Sequence, residues 1–289
     1  MPVITNDPVL PQGTLAASPR DCFELMFDNS IIAIIVKWTN ESIEGLRTSY
    51  KNKKTAIVDK TYNNEIMALI GILIMSGLKQ DNHVPTKEMF SKSIGPQINR
   101  AAMGEHCFCF LLRVLHFDDM ETREEKKRTD KFAAVREIWD KLISNCTAHY
   151  SPGEHITINE QLLGFSGRCP FRIYIVNKPA KYGIKLIMVC DAKTSYMLNT
   201  LPYLGKYTQP PHGMALGHYV TTKLVVPYAN SKRIITGDNW FGSVPLVNDL
   251  LDNYNLTYVG TVQANKAQIT PEMIDKKRFP NGQSAFLFD

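Results

Sequence analysis

The sequence predicts a mixed α+β fold in which a helical N-terminal part precedes a smaller α/β part, and three observations carry that prediction. Apolar residues recur at helical spacing between Ser18 and Tyr150. After Tyr150-Ser151-Pro152-Gly153 the period shortens to that of strands. Beyond that point short β-branched runs alternate with two helical stretches, the order expected of an α/β layer. A chain of 289 residues can bury a sizeable core, and its 44% hydrophobic and 21% charged content is that of a globular protein.

Taken in order, residues 1–17 contain three prolines and no periodicity, and are expected to be a loose leader. Ser18-Pro19 supplies an N-cap with proline at the first helical position. Phe23, Phe27, Ile31, Ile34, Ile35 and Trp38 continue from it at helical spacing, so one helix is expected there. Ser49 to Lys54 is a Lys-rich connector. Residues 62–78 are apolar on nearly all faces, which predicts a central helix of a bundle. Phe108, Leu111, Leu112 and Leu115 define an amphipathic helix over 105–117. Asp118-Asp119 ends it and is expected to form a turn or cap rather than a metal site. Met120 to Lys131 is a mixed-charge loop or helix start. Phe132, Val135, Ile138, Trp139, Leu142, Ile143 and Cys146 mark a further long helix. Strands are expected at 155–159, 170–176, 184–190, 195–200, 233–237 and 257–262, with helices at 215–226 and 243–253.

Charge is unevenly placed. Residues 1–150 carry 19 basic and 19 acidic side chains, whereas residues 151–289 carry 14 and 9, so the whole net charge of +5 lies in the second part. Between residues 161 and 190 stand Arg168, Arg172, Lys178, Lys181 and Lys185, with no acidic residue among them. Such a field suits a polyanion such as DNA; a solvated sheet face would read the same way. The six cysteines show no Cys-x-x-Cys pair, which points to reduced thiols rather than a zinc site. No signal peptide is expected, since the N-terminus lacks a basic segment followed by an apolar one. The longest apolar run, Ile66 to Leu78, falls short of the roughly 20 residues that cross a bilayer, so no membrane partner is expected.

Two stretches carry the chemistry. His155-Ile156-Thr157-Ile158 is a β-branched run that stops at Asn159, and Arg233-Ile234-Ile235-Thr236-Gly237 is one that stops at Asp238. Neighbouring strands that each end in a carboxylate can hold divalent metal between them, the arrangement used in two-metal phosphoryl transfer. The two residues are expected at the ends of adjacent parallel strands. Here one of the two positions is an amide. Glu160 cannot replace the lost carboxylate, because successive strand residues point to opposite faces. Asp191 is expected to cap the Lys193-Thr194 turn. Trp240 and Phe241 have the rings to stack on bases, although core packing is the commoner role for at least one of them. His155, His212 and His218 form no ligand set.

Several blocks in one order resemble the piggyBac transposases and the host proteins derived from them. They are Thr157-Ile158-Asn159-Glu160-Gln161-Leu162, Gly167-Arg168-Cys169-Pro170-Phe171-Arg172, Asn177 to Lys185, and Asp238-Asn239-Trp240-Phe241-Gly242-Ser243. The resemblance implies an RNase H-like α/β domain, incomplete here, over 151–263. It further implies a helical dimerisation and DNA-binding-like domain over 18–150 and the start of an insertion over 264–289. Active relatives use three aspartates to hold two magnesium ions. The first two match Asn159 and Asp238, and the third lies downstream of the insertion. The resemblance therefore implies a nuclear, transposase-derived protein with no cofactor of its own. Asp238 would be the one remaining metal ligand and Asn159 the degenerate catalytic position. Expected partners are DNA, bound weakly and without sequence preference through Arg168, Arg172, Lys178, Lys181 and Lys185, and a second copy of the chain. The alternatives are an active or trans-complemented metal-dependent transposase or nuclease, and a structural interaction module or truncated relic.

Overall fold

The computed structural model describes residues 16, 18–49, 59–266 and 268–271. The expected leader over 1–17, the Lys-rich connector and the insertion over 264–289 lie largely outside the described residues. The expected mixed α+β class is observed, in two compact units that divide between Asn145 and Cys146.

The unit of Leu15–Asn145 is helical. Its elements are α1 (Pro19–Met26), α2 (Asn29–Ser49), α3 (Asn63–Lys79), α4 (Thr86–Met89), α5 (Gln97–Ala102), α6 (Glu105–Val114), α7 (Arg123–Thr129) and α8 (Ala133–Ala148), whose last turn passes the division. Ser18 caps α1 with a reciprocal bond to Asp21, and Pro19 follows at the first helical position. The single helix expected through Trp38 is in fact two. The Asp28 carboxylate accepts the N–H groups of Ser30 (2.8 Å) and Ile31 (3.0 Å), which starts a new helix. The Asn145 amide then bridges the break by donating to Met26 O and Asp28 Oδ2. Ile31, Ile32, Ile35, Ile66 and Ile138 form one cluster; Ile43, Leu69, Ile72, Met89, Phe90, Phe108, Leu111 and Val114 form another. The expectation that α3 is enclosed on all sides needs correction. Ile66, Leu69 and Ile72 are buried, but Leu73, Ile74 and Leu78 are exposed, because the neighbouring helices pack only one of its stripes. The acidic pair stands in a turn, as expected. Asp118 receives the Arg123 guanidinium, and Asp119 accepts the Glu121 N–H at 2.8 Å.

The second unit holds one six-stranded sheet: β1 (His155–Gly164), β2 (Ile173–Tyr174), β3 (Tyr182–Asp191), β4 (Met197–Pro202), β5 (Ile234–Gly237) and β6 (Thr257–Gly260). The order is β2-β3-β1-β5-β6, with β4 also on β3. β1 runs antiparallel to β3 and parallel to β5, and β6 is parallel to β5. α9 (Leu216–Val225) and α10 (Val244–Tyr254) cover one face. Alternation decides which residues they cover. Ile156, Ile158, Ile187, Val189 and Ile235 point inward to Val220, Leu224, Phe241, Leu246 and Leu250, and all of these are buried. Each such side chain contributes about 1.5–3 kcal/mol of burial. Thr157, Asn159, Gln161 and Leu163 take the other face. β1 runs past its expected end at Asn159 because β3 continues to pair with it as far as Gly164 and Gly183. Gly183 is required there, since a Cβ would stand 2.2 Å from Leu163 O.

Two buried polar groups fix the entry to this sheet. Asp191 caps the turn as expected, accepting the N–H groups of Lys193 (2.9 Å) and Thr194 (2.8 Å), and also takes the Gly153 N–H at 2.8 Å. Arg233, likewise buried, donates to Gly153 O and Pro152 O. Burial works to raise the Asp191 carboxyl, but the Gly153 and Thr194 donors outweigh it and hold its pKa below the ordinary value. A depressed carboxylate contributes stability that is present above its unfolded pKa and lost as pH falls through the folded one. Asp191→Asn should therefore lower the unfolding free energy at pH 7 by about 2 kcal/mol. Its acid limb, followed by urea unfolding from pH 6 to pH 3, should be shallower than that of the parent. Equal acid limbs would remove Asp191 from the account.

Candidate functional site

The parallel register pairs Ile156 with Ile235, Thr157 with Thr236 and Ile158 with Gly237. The next residue on each strand is the candidate: Asn159 on β1 and Asp238 after β5. Both are exposed, at one edge of the sheet. Ile158 and Gly237 face the core, so Asn159 falls on the opposite face, level with Met188 of β3. Gly237 is needed because a Cβ there would meet the Tyr258 hydroxyl at 2.5 Å and Ile158 Cγ2 at 3.0 Å. The Tyr258 hydroxyl in turn donates to Asp238 O at 3.4 Å. Burial, reinforced by the nearby Asp238 charge, pushes the Tyr258 phenol up to about 12.

The donor set does not fit a pair of magnesium ions. Asn159 Oδ1 accepts the Glu160 N–H at 2.7 Å, and one Asp238 carboxylate oxygen accepts the Trp240 N–H at 2.9 Å. That leaves a neutral amide already engaged and one carboxylate. Magnesium prefers several anionic oxygens in near-octahedral array. Among the described residues no three His, Cys, Asp or Glu side chains lie together in a metal-holding group. All six cysteines are free thiols. His218 pairs with Asp249 at 2.6 Å across α9 and α10, and His155 lies near Glu154.

Beneath the candidate pair lies an arrangement that sequence reasoning missed. Glu160 turns to the core face, as alternation requires. There its carboxylate forms an ion pair with Lys185 and approaches Lys178 Nζ at 3.7 Å. The Lys185 ammonium also stands 4.5 Å from the centre of the Trp240 ring. The side chains of Lys185 and Glu160 are only 11% and 20% exposed, so this cation is committed inside the fold and little of it remains for a phosphate. Lys178 also donates to Glu160 O at 3.2 Å. The register that pairs Lys185 with Leu162 sets it on the face of Glu160. Phe241 is buried in the core, and the half-buried Trp240 packs edge-on to it with ring centres 4.7 Å apart.

The remaining cations lie on the hairpin arm formed by the outer end of β1, β2 and the start of β3. Arg168, Arg172 and Lys181 are exposed. Arg172 Nη1 braces the turn at Ser166 O (3.0 Å) and Gly167 O (3.2 Å), and its guanidinium lies 5.5 Å from the Tyr182 ring.

The family model described as Transposase IS4 matches residues 18–289. The human PiggyBac transposable element-derived protein 3 is 24% identical over 267 residues, covering 89% of this chain and 42% of that protein. The human PiggyBac transposable element-derived protein 2 is 26% identical over 266 residues, covering 88% and 41%. The solved structure of a piggyBac transposase synaptic complex with hairpin DNA superposes with a TM-score of 0.90 at 44% identity, covering 99% of this chain and 59% of that one. The chain thus spans less than two thirds of the length of these relatives. The structural match establishes the second unit as an RNase H-like domain.

The core-face cluster makes a prediction. Lys185→Ala leaves the Glu160 carboxylate with only the longer Lys178 contact and should lower stability by about 2 kcal/mol. Lys181→Ala, on the surface, should change it by less than about 0.5 kcal/mol. Glu160→Gln combined with Lys185→Met should recover most of the loss. Urea denaturation of the four proteins checks this, and equal stabilities for the two single lysine variants would remove the buried clamp.

Proposed function

The chain belongs to the piggyBac-type Transposase IS4 family, and from that membership we propose that it is a transposase-derived DNA-binding protein that does not cleave or join DNA. The observation that carries this reading is the amide at position 159, next in register to Asp238. Phosphoryl transfer on two metals needs each ion neutralised by carboxylates and held on both reacting oxygens. An amide contributes no charge, so Asn159 would hold a divalent ion more weakly than a carboxylate there. The expected nuclear location follows from a DNA partner.

Support for DNA binding comes from charge and from the relative solved with hairpin DNA. Arg168, Arg172 and Lys181 are the contacts we assign, with Lys178 behind them; Lys185 is reserved to the fold. Phosphate contacts release counterions, and each contributes about 0.9 to the slope of log affinity against log salt. Charges of this kind act on the phosphate backbone, so binding through them is independent of sequence. A second copy of the chain in the assembly is part of the same proposal, by analogy with the family.

Two experiments test the reading. Supercoiled plasmid is incubated with the parent, Asn159→Asp and Asp238→Ala proteins in magnesium and in manganese, which tolerates looser ligand sets. No nicking is expected from the parent, while Asn159→Asp should bind manganese more tightly than the parent. Nicking by the parent that disappears in Asp238→Ala would overturn the proposal in favour of a live site. In the second experiment, replacing Arg168 and Lys181 by Ala should reduce the salt slope for duplex binding by about two. An unchanged slope would take these residues out of the interface.

A further inference from the structure

The hairpin arm carries more than charge. Tyr174 and Tyr182 are register partners on β2 and β3, so their rings leave the sheet on one face. The ring centres are 4.9 Å apart, and each residue is 54% exposed. The Arg172 guanidinium borders Tyr182. Phe165 and Val176, both exposed, flank the pair. Exposed tyrosines on this scale are not core residues, and their placement follows from the register that also builds the site. Pairing runs Met188 with Asn159, Leu186 with Gln161, and Ile184 with Leu163; the next residue on this face of β3 is Tyr182. The tyrosine pair therefore shares a sheet face with Asn159. Tyr182 stands six residues along β3 from Met188, about 20 Å at a rise of about 3.3 Å per residue.

We infer that Tyr174, Tyr182 and Arg172 form a stacking platform for unpaired bases of a DNA strand. Duplex DNA offers no base faces to such a surface, because each base is already stacked. A single strand, a frayed end or an overhang offers them, and stacking on an aromatic is tolerant of sequence. Arginine beside the ring adds a cation–π and stacking partner and a charge for the neighbouring phosphate. The lack of any acidic residue between positions 161 and 190 makes the surroundings complementary to a polyanion. This inference rests on the DNA-binding reading and adds a preference for strands that are not paired. A strand whose backbone follows the sheet face from Asp238 would reach the platform with its next few nucleotides.

The test uses the whole chain and three fluorescent probes: a 20-nucleotide single strand, a blunt duplex, and that duplex with a four-nucleotide overhang. Affinities are measured by anisotropy at one salt concentration. The parent is expected to bind the overhang and single-strand probes at least fivefold more tightly than the blunt duplex. Tyr174→Ala combined with Tyr182→Ala should abolish that preference, weakening overhang binding about tenfold and duplex binding less than twofold. Tyr174→Phe combined with Tyr182→Phe should keep it, since the rings remain. A 2-aminopurine within the overhang should lose emission on binding to the parent but not to the alanine variant, a readout independent of affinity. Salt-dependent duplex binding with no overhang preference would overturn the platform and leave the DNA-binding reading intact. Absence of binding to any probe would overturn both. Equal loss on all probes in the alanine variant would assign the tyrosines to folding and overturn the platform.

Discussion

The ion pair of Glu160 and Lys185 under Trp240 is the constraint on which the candidate site depends. Glu160 follows Asn159 on β1, and Trp240 lies two residues after Asp238. One ammonium therefore ties together, from the core face, the strand that carries Asn159 and the turn that carries Asp238. A charged pair at a sheet edge is not a strong source of net stability, since desolvation offsets much of the Coulombic gain. Its effect is on geometry. Removing Lys185 leaves the Glu160 carboxylate with only the longer Lys178 contact, so the pairing favours one arrangement of the segments. The cost of a wrong geometry is high even where the benefit of the right one is small.

The same logic explains why an amide at position 159 is tolerated by the fold. Two carboxylates at neighbouring strand ends repel, and without metal that repulsion destabilises the site. Replacing one with Asn159 removes the repulsion, and its carbonyl finds a local donor in the Glu160 N–H. Asp238 settles into a turn that accepts the Trp240 N–H. On the proposed reading, an amide at this position removes a metal ligand without costing structure. Nothing on the core face had to move, because alternation keeps the clamp and the candidate pair on opposite sides of the strand.

Much of the sheet was legible from sequence because its signals are local. β-branched runs gave β1 and β5, and the abrupt end of each placed Asn159 and Asp238. The helix expected over 243–253 is α10, which Ser243 caps. What was not legible depended on partners distant in sequence. The extension of β1 to Gly164 needs β3, which reaches it only through a turn and the glycine pair at 164 and 183. The commitment of Lys185 needs the register, and composition alone counted it as a free cation. The break between α1 and α2 was visible in Asp28-Asn29-Ser30, a capping signature hidden inside an otherwise continuous apolar period. The open stripe of α3 was not visible at all, since an apolar residue carries no mark of which neighbour, if any, will cover it.

Binding and chemistry occupy different parts of one sheet face, and this separation carries the functional argument. Catalysis would need two carboxylates at the strand ends, where a single substitution removes half the charge. Contact with a nucleic acid, as proposed, would draw instead on Arg168, Arg172, Lys181 and two tyrosines of the hairpin arm, where Tyr182 lies about 20 Å along β3 from Met188. Contacts of that kind are individually weak and nearly additive, so no one of them is indispensable. A protein of this family can therefore lose its chemistry in one step while its affinity for DNA persists. On the proposed reading, the amide at position 159 bears on the first of these and the positive charge of the arm on the second.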